Sequence, residues 1–384
     1  MAEAKIRRLF LGGNTARGFR GFPHSIADDG LKRTFVIKGG PGVGKSTLMR
    51  RIAEGMRRRG YDVELFYCSS DPGSLDGVRA PGLGVSLVDG TAPHVLDPAH
   101  PGAVDEIVNL GEHWDEAGMR RARVEVVRLF SEVARLFRRA YACLGAAHAV
   151  REQLRAGPTD AGALDTGGLN AEATALCAFL LDGVPEAGRG EERHAGRGCA
   201  PGRVRHLFAT AITPDGLMGF LDDVAAPLAR RAVLLGPPGT GKSRLAAKLA
   251  AAAQERGLDV EVFHCGLDSD RVEHVVIPAR GAGLITAAPP HHYRPDGGDV
   301  IVDTSRFLDP LPLAALAPEA DQLSSLYERA LDAGVGFLAR AKRAHDELET
   351  HYVPHMDFAA VESTSHAILS RILGSVPAEA GAAG

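Results

Sequence analysis

The chain has 384 residues, 45% hydrophobic and 24% charged, which is too long for one small core and too apolar for a disordered polymer, so two or three domains are expected. Forty-four Lys and Arg against 48 Asp and Glu give a net charge of −4, which excludes a global positive field for nucleic acid or anionic lipid. Cys68, Cys143, Cys177, Cys199 and Cys265 form no C-x-x-C pair, so neither a disulfide framework nor a zinc knuckle is indicated and a reducing compartment is expected.

The first 30 residues lack the apolar core of a signal peptide, and no stretch has the ~18 apolar residues that span a bilayer; the protein reads as cytoplasmic, without a membrane partner. Gly12-Gly13-Asn14-Thr15 with Gly21-Phe22 is expected to pack beside a nucleotide base or to form a leading strand and turn. Phe35-Val36-Ile37 reads as a buried strand, and a helix is expected from Lys45 to about Arg59, closed by Gly60. Strands follow at 62–68, 85–88 and 107–108, in the alternation of a parallel α/β sheet. Trp114 to about Leu154 reads as a long helix, because Val127, Phe130, Val133, Phe137 and Tyr141 recur at helical spacing.

Sliding the chain by 197 places residues 33–94 on 230–291 without a gap, and 24 of the 62 positions are identical. That is an internal duplication. It predicts a second strand at 232–235, a helix from Lys242 to about Arg256, strands at 259–265, 283–285 and 300–302, and a second long helix from about Pro318 to Leu348. The expected organisation is 1–156 for the first domain with its helical arm, 157–202 for a linker holding a short helix near 171–181, and 203–384 for the second domain with C-terminal helices. Ala380–Gly384 is expected to fray.

Each copy carries G-x-x-x-x-G-K-[ST]: Gly39-Gly40-Pro41-Gly42-Val43-Gly44-Lys45-Ser46, followed by Thr47, and Gly236-Pro237-Pro238-Gly239-Thr240-Gly241-Lys242-Ser243, followed by Arg244. Glycines let successive amides turn inward on phosphate oxygens, and the helix that starts at the lysine turns its positive end to the same anion. Lys45 and Lys242 are therefore expected on the β- and γ-phosphates of ATP, with Ser46 and Ser243 on Mg²⁺. Such a loop needs an acid that holds the metal. The first copy offers Asp89 where the second has Thr286; the second offers Asp303 where the first has Asn109. Asp71 and Asp268 end matched strands and are expected to orient water or join the metal shell.

No Glu follows Asp89 or Asp303, so slow turnover or a transfer reaction is expected in place of fast hydrolysis. Cys68 and Cys265 read as small buried residues. His94 and His291 are candidates for phosphate contact or proton transfer, or are structural loop histidines. His345 and Glu349 share a helical face, which reads as solvated rather than as a metal site. The arginine-rich stretch 120–139 is interleaved with acids, and with aromatics at 5% a nucleic-acid platform is not expected.

Gly39 to Gly42 with Lys45-Ser46-Thr47, Cys68-Ser69-Ser70-Asp71 with Ser74-Leu75-Asp76-Gly77, and Asp89-Gly90-Thr91-Ala92-Pro93-His94 together resemble a family of bacterial tandem P-loop ATPases sometimes labelled nucleotide kinases. Gly12 to Thr15, Asp97-Pro98, Asn109-Leu110-Gly111 and Met356-Asp357-Phe358 extend the resemblance over most of the chain except about 157–200. It implies a nucleotide-binding duplication and names no substrate. The expectation is thus two tandem P-loop NTPase domains of α/β class with mostly parallel sheets, binding Mg·ATP and hydrolysing it to move the halves. The alternatives are a kinase acting on a small molecule or nucleotide, and a switch that binds without turnover.

Overall fold

The structure is a computed structural model and describes residues 4–26, 31–182, 200–289, 291 and 293–374. In the first half the elements are β1 (Ile6–Leu9), β2 (Gly12–Thr15), β3 (Gly18–Gly21), β4 (Arg33–Lys38), α1 (Lys45–Arg57), β5 (Val63–Tyr67), β6 (Leu75–Ala80), β7 (Val85–Asp89) and β8 (Asp105–Asn109). Next come α2 (Glu116–Arg121), α3 (Arg123–Asp160) and α4 (Thr166–Leu181). The second half runs β9 (Val204–Leu207), β10 (Thr210–Thr213), β11 (Gly216–Gly219), α5 (Leu221–Ala225), β12 (Arg230–Leu235), α6 (Lys242–Glu255), β13 (Val260–His264), β14 (Val272–Ile277), β15 (Ala282–Thr286) and β16 (Val300–Asp303). It closes with α7 (Pro310–Ala314), α8 (Ala317–Tyr352) and α9 (Phe358–Gly374).

The strands form two six-stranded sheets of identical order among the described residues, β1-β5-β6-β7-β4-β8 and β9-β13-β14-β15-β12-β16. Both are mixed and mostly parallel. The exceptions are β6 and β14, antiparallel to both neighbours, which the sequence reading passed over. Leu75-Asp76-Gly77-Val78-Arg79-Ala80 breaks the apolar alternation with an acid and a glycine, so no strand period shows there. The motif Gly12 to Thr15 is a strand of a two-stranded hairpin, β2 with β3, mirrored by β10 with β11. These hairpins meet where the halves join, with Asn14 Nδ2 donating to Ser69 O (3.1 Å) in its own half and to Ile212 O (3.0 Å) in the other.

The halves exchange their arms. α3 leaves the first half and lies antiparallel to α8, which leaves the second; the pairing brings Arg128 to Glu347 and Arg151 over the Tyr327 ring. α4, which follows α3, then packs on the second half, with Leu169, Leu176 and Leu180 buried in a core with Leu234, Leu245 and Leu249. Reciprocally α9 packs on the first half, where Val361, Ile368 and Ile372 join Leu48, Met49, Ile52 and Met56 of α1. The boundary expected at 156 therefore moves: α3 continues to Asp160, Asp165 caps α4 by accepting from Gly168 N (2.9 Å), and the expected short linker helix is part of the second core. The Gly and Pro density of 157–168 marks the turn between two helices, and residues 183–199, in the second Gly- and Pro-rich stretch, lie outside the described residues. So do Cys199, Pro290 and Ala380–Gly384. Among the described residues no helix is long and apolar enough to cross a membrane.

Candidate functional site

Each glycine loop sits between a central strand and the helix whose start it caps. Gly44 and Gly241, at φ 91° and 89°, hold the residue before α1 and α6 in the left-handed region, where a side chain would be strained. The first turns of both helices, with their unpaired amides and dipole, consequently face the loop interior. Val43 and Thr240 are buried and anchor the loops, while Thr47 and Arg244 are exposed; Arg244 donates to Asn170 of α4 (3.2 Å).

In the first loop, Lys45 Nζ donates to Gly39 O (3.0 Å) and Gly40 O (2.7 Å). It also lies 3.6 Å from Asp89 Oδ2, because β7 pairs with β4 in the register that sets Asp89 beside Ile37. Asp89 Oδ1 accepts from Thr91 N (2.8 Å), which leaves Oδ2 turned to the lysine. Ser46 Oγ accepts from Leu75 N (3.0 Å). Asp71 accepts from Ser74 Oγ (2.5 Å) and pairs with Lys342 of α8 at 3.4 Å. The end of α8 roofs this loop. Glu349 Oε1 accepts the Gly42 N–H at 3.2 Å, and the Tyr352 ring lies so close to Gly40 that a Cβ there would stand 2.6 Å from Cε1.

In the second loop, Lys242 Nζ donates to Gly236 O and Pro237 O, both at 2.6 Å, and to Thr240 Oγ1 at 3.2 Å. The register places Thr286 where Asp89 stands in the first half, as the sequence alignment expects. Asp303 ends β16 beside Leu235, but it is exposed and caps a turn by accepting from Ser305 N (2.9 Å). Asn109 does the same for Gly111 N (3.0 Å) in the first half. That shared turn-capping role accounts for the Asn–Asp exchange without metal binding. Asp268 pairs with Arg271 (3.1 Å), which also binds Glu152 of α3 (2.5 Å). The roof here is the end of α3, where a Cβ at Gly239 would stand 2.5 Å from Arg155 O.

The two sites differ in charge. Burial, with the positive charges of Arg151 and Arg155, lowers the Lys242 ammonium to about 8. The first loop instead faces Glu349 and Asp89. Of the expected residues, the structure thus brings Lys45, Ser46 and Asp89 to one loop and Lys242 to the other; Asp71 pairs with Lys342 of α8, Asp268 pairs with Arg271, and Ser243 stands at the start of α6. His94 and His291 go to buried carboxylates, Asp76 Oδ1 at 3.3 Å and Glu273 Oε2 at 2.9 Å. Cys68 and Cys265 are buried, as expected.

The sequence reading treated His345 and Glu349 as a solvated face, and the fold corrects it: Glu349 is at the first loop. The signal was present, since His148 and Glu152 precede them by the same 197 residues. An i,i+4 pair repeated at the duplication offset marks a shared face of the two arms, although the partners differ: Glu349 accepts from Gly42 N and Glu152 binds Arg271. Tyr352, Arg151 and Arg155 left no comparable trace. Compared with protein-family models, with curated proteins and with solved structures, the chain matches none.

Proposed function

We propose that this protein binds Mg·ATP at its glycine loops, hydrolyses it slowly at the first, and converts nucleotide state into movement of the exchanged arms. The observation that carries the reading is the Glu349 carboxylate on the Gly42 N–H at 3.2 Å: an inward loop amide already engages an oxyanion, delivered by the helix of the other half. A phosphate oxygen competes for the same amide and, at higher charge density, for the Lys45 ammonium. Nucleotide binding therefore requires Glu349, and with it the end of α8, to withdraw.

Lys45 would leave its loop carbonyls for the β- and γ-phosphates. Ser46 Oγ and Asp89 Oδ2 are the oxygens that would hold Mg²⁺; a hydroxyl and a carboxylate are the hard donors that ion takes. The ion supplies neutralisation of phosphate charge. Asp71, tied to Lys342 on α8 at 3.4 Å, would link arm position to the water that attacks the γ-phosphate. At the second loop Thr286 in place of the acid, with Arg151, Arg155 and Lys242 nearby, supports anion binding with less turnover.

Thermal unfolding with and without Mg·ATP tests the reading on wild type, Lys45→Ala and Lys242→Ala. Saturation at ~100 Kd adds about 2.7 kcal/mol per occupied site, so each variant should lose part of the shift. Phosphate release without an acceptor marks a hydrolase, and acceptor-dependent ADP formation a kinase. No nucleotide response in wild type, or an unchanged response in both variants, rejects the reading.

A further inference from the structure

We propose that the first half holds one borderline-soft divalent cation, of the zinc type, on Cys68 Sγ, Asp76 and His94 Nε2. The three come from separate elements: Cys68 follows β5, Asp76 lies within β6, and His94 stands in the loop after β7. Their candidate ligand atoms lie within 4.8 Å of one another. Thiolate, carboxylate and imidazole together select zinc over magnesium, because Mg²⁺ takes oxygen donors. The site is thus chemically distinct from the one assigned to Ser46 and Asp89, and it stands whether or not ATP binds.

The residues lack the satisfaction expected of a purely structural cluster. Asp76 Oδ2 is buried with no hydrogen-bond partner among the described residues, on a residue only 4% exposed. Its other oxygen is 3.3 Å from His94 Nε2, a long contact for an ion pair. A lone carboxylate oxygen in such surroundings is costly unless a cation or proton meets it. A cavity of about 270 Å³ reaches Asp76 and His94 and is lined by Phe19 and Arg20, so a fourth coordination position would open on space for water or an anion.

The second half is an internal control. Glu273 Oε2 and His291 Nε2, the duplicated pair, stand closer, at 2.9 Å, although that oxygen too makes no hydrogen bond of good geometry, and a cavity of about 20 Å³ reaches them. There the third nearby donor is His274, whose Nδ1 accepts the Thr286 N–H at 3.0 Å. A neutral imidazole that accepts at Nδ1 carries its proton on Nε2, so that nitrogen has no lone pair to give. Glu273, His274 and His291 also lie within 4.8 Å of one another, but they offer no thiolate and one imidazole nitrogen is protonated, so the first half is the site with the zinc-type donor set. Metal binding there converts the Cys68 thiol to a thiolate and releases its proton to solvent, forming the metal–sulfur bond.

Full-length protein freed of metal by chelator and dialysed against Zn²⁺ or Co²⁺ tests the inference. About one equivalent should be retained per chain, with Co²⁺ giving a thiolate-to-cobalt charge-transfer band. Cys68→Ser should abolish the band, and His94→Ala should weaken retention by at least the about 10–100-fold that even outer partners of a metal command. Cys265→Ser should leave both unchanged. Asp76→Asn, nearly isosteric, repeats the test if Cys68→Ser unfolds. Substoichiometric binding in wild type, a band that survives Cys68→Ser, or equal loss in Cys265→Ser overturns the proposal. The Mg·ATP thermal shift of the same samples separates this outcome from failure at the glycine loops.

Discussion

Phe10 N donates to Phe208 O at 3.1 Å and Phe208 N returns to Phe10 O at 3.0 Å, so the two halves are joined by a reciprocal main-chain pair between equivalent residues. A duplicated chain that meets itself at one equivalent pair has a local two-fold axis there. Four charges gather about the same junction. Arg7 bonds Glu64 (3.2 Å) and Glu261 (2.5 Å), and Arg205 bonds Glu64 (2.7 Å) and Glu261 (3.0 Å). Each Arg thus binds a Glu of its own half and one of the other. Removing one member leaves its partners charged and buried. Arg205→Met should cost about 3–5 kcal/mol in urea unfolding, whereas the exposed Arg120→Met should cost under about 1 kcal/mol.

The same quartet predicts acid sensitivity. Although burial alone would raise it, the arginines, led by Arg205, lower the Glu64 carboxyl to about 2, and Arg7 lowers Glu261. A depressed carboxyl stabilises the fold above its unfolded value near 4.3, and that contribution is lost as pH falls towards 2. Stability should therefore fall between about pH 4.5 and 2, with a shallower slope in Glu64→Gln, itself less stable at pH 7. An identical acid slope in the two proteins would contradict the assignment.

Lys242 gives the opposite sign. Its ammonium is lowered to about 8, so between there and the unfolded value near 10.4 the unfolded chain binds more protons. This lysine makes the ligand-free fold gain stability as pH rises through that window, and Lys242→Met should flatten the rise. Mg·ATP affinity of the second loop should weaken over the same pH range, as the ammonium is lost. Isothermal titration in a Lys45→Ala background reads it.

Glu349 is a competitor of phosphate in the proposed cycle. Glu349→Gln keeps the side-chain size and removes the charge that sits on Gly42 N–H. With the carboxylate half exposed, the gain should be about 1 kcal/mol, or about fivefold tighter Mg·ATP binding at the first loop in a Lys242→Ala background. Unchanged or weaker binding would remove the role given to the arm.

The exchanged helices make a long-range stability prediction. Ile368 of α9 is 2% exposed, and Leu369 meets α1 so closely at Gly55 that a Cβ there would stand 2.3 Å from Cδ2. Ile368→Ala should cost about 2–5 kcal/mol. Because α9 belongs to the core of the first half, the loss should appear as exchange of amides in α1, far away in sequence, which hydrogen-exchange measurements resolve.

Much of the fold was legible because its signals are local or repeated. The strand–loop–helix units, the two long arms and the equivalence of Asp89 with Thr286 follow from apolar periodicity, glycine placement and one offset, all properties of neighbouring residues. Tertiary structure alone decided three things: that β6 and β14 run against their neighbours, that each arm crosses to the other half, and that Glu349 meets Gly42 across 307 positions. A helix pattern shows which face is apolar and not which surface covers it. Where two copies present related surfaces, that choice rests on side-chain fit between segments distant in sequence, such as Gly55 against Leu369, and leaves no period in the chain.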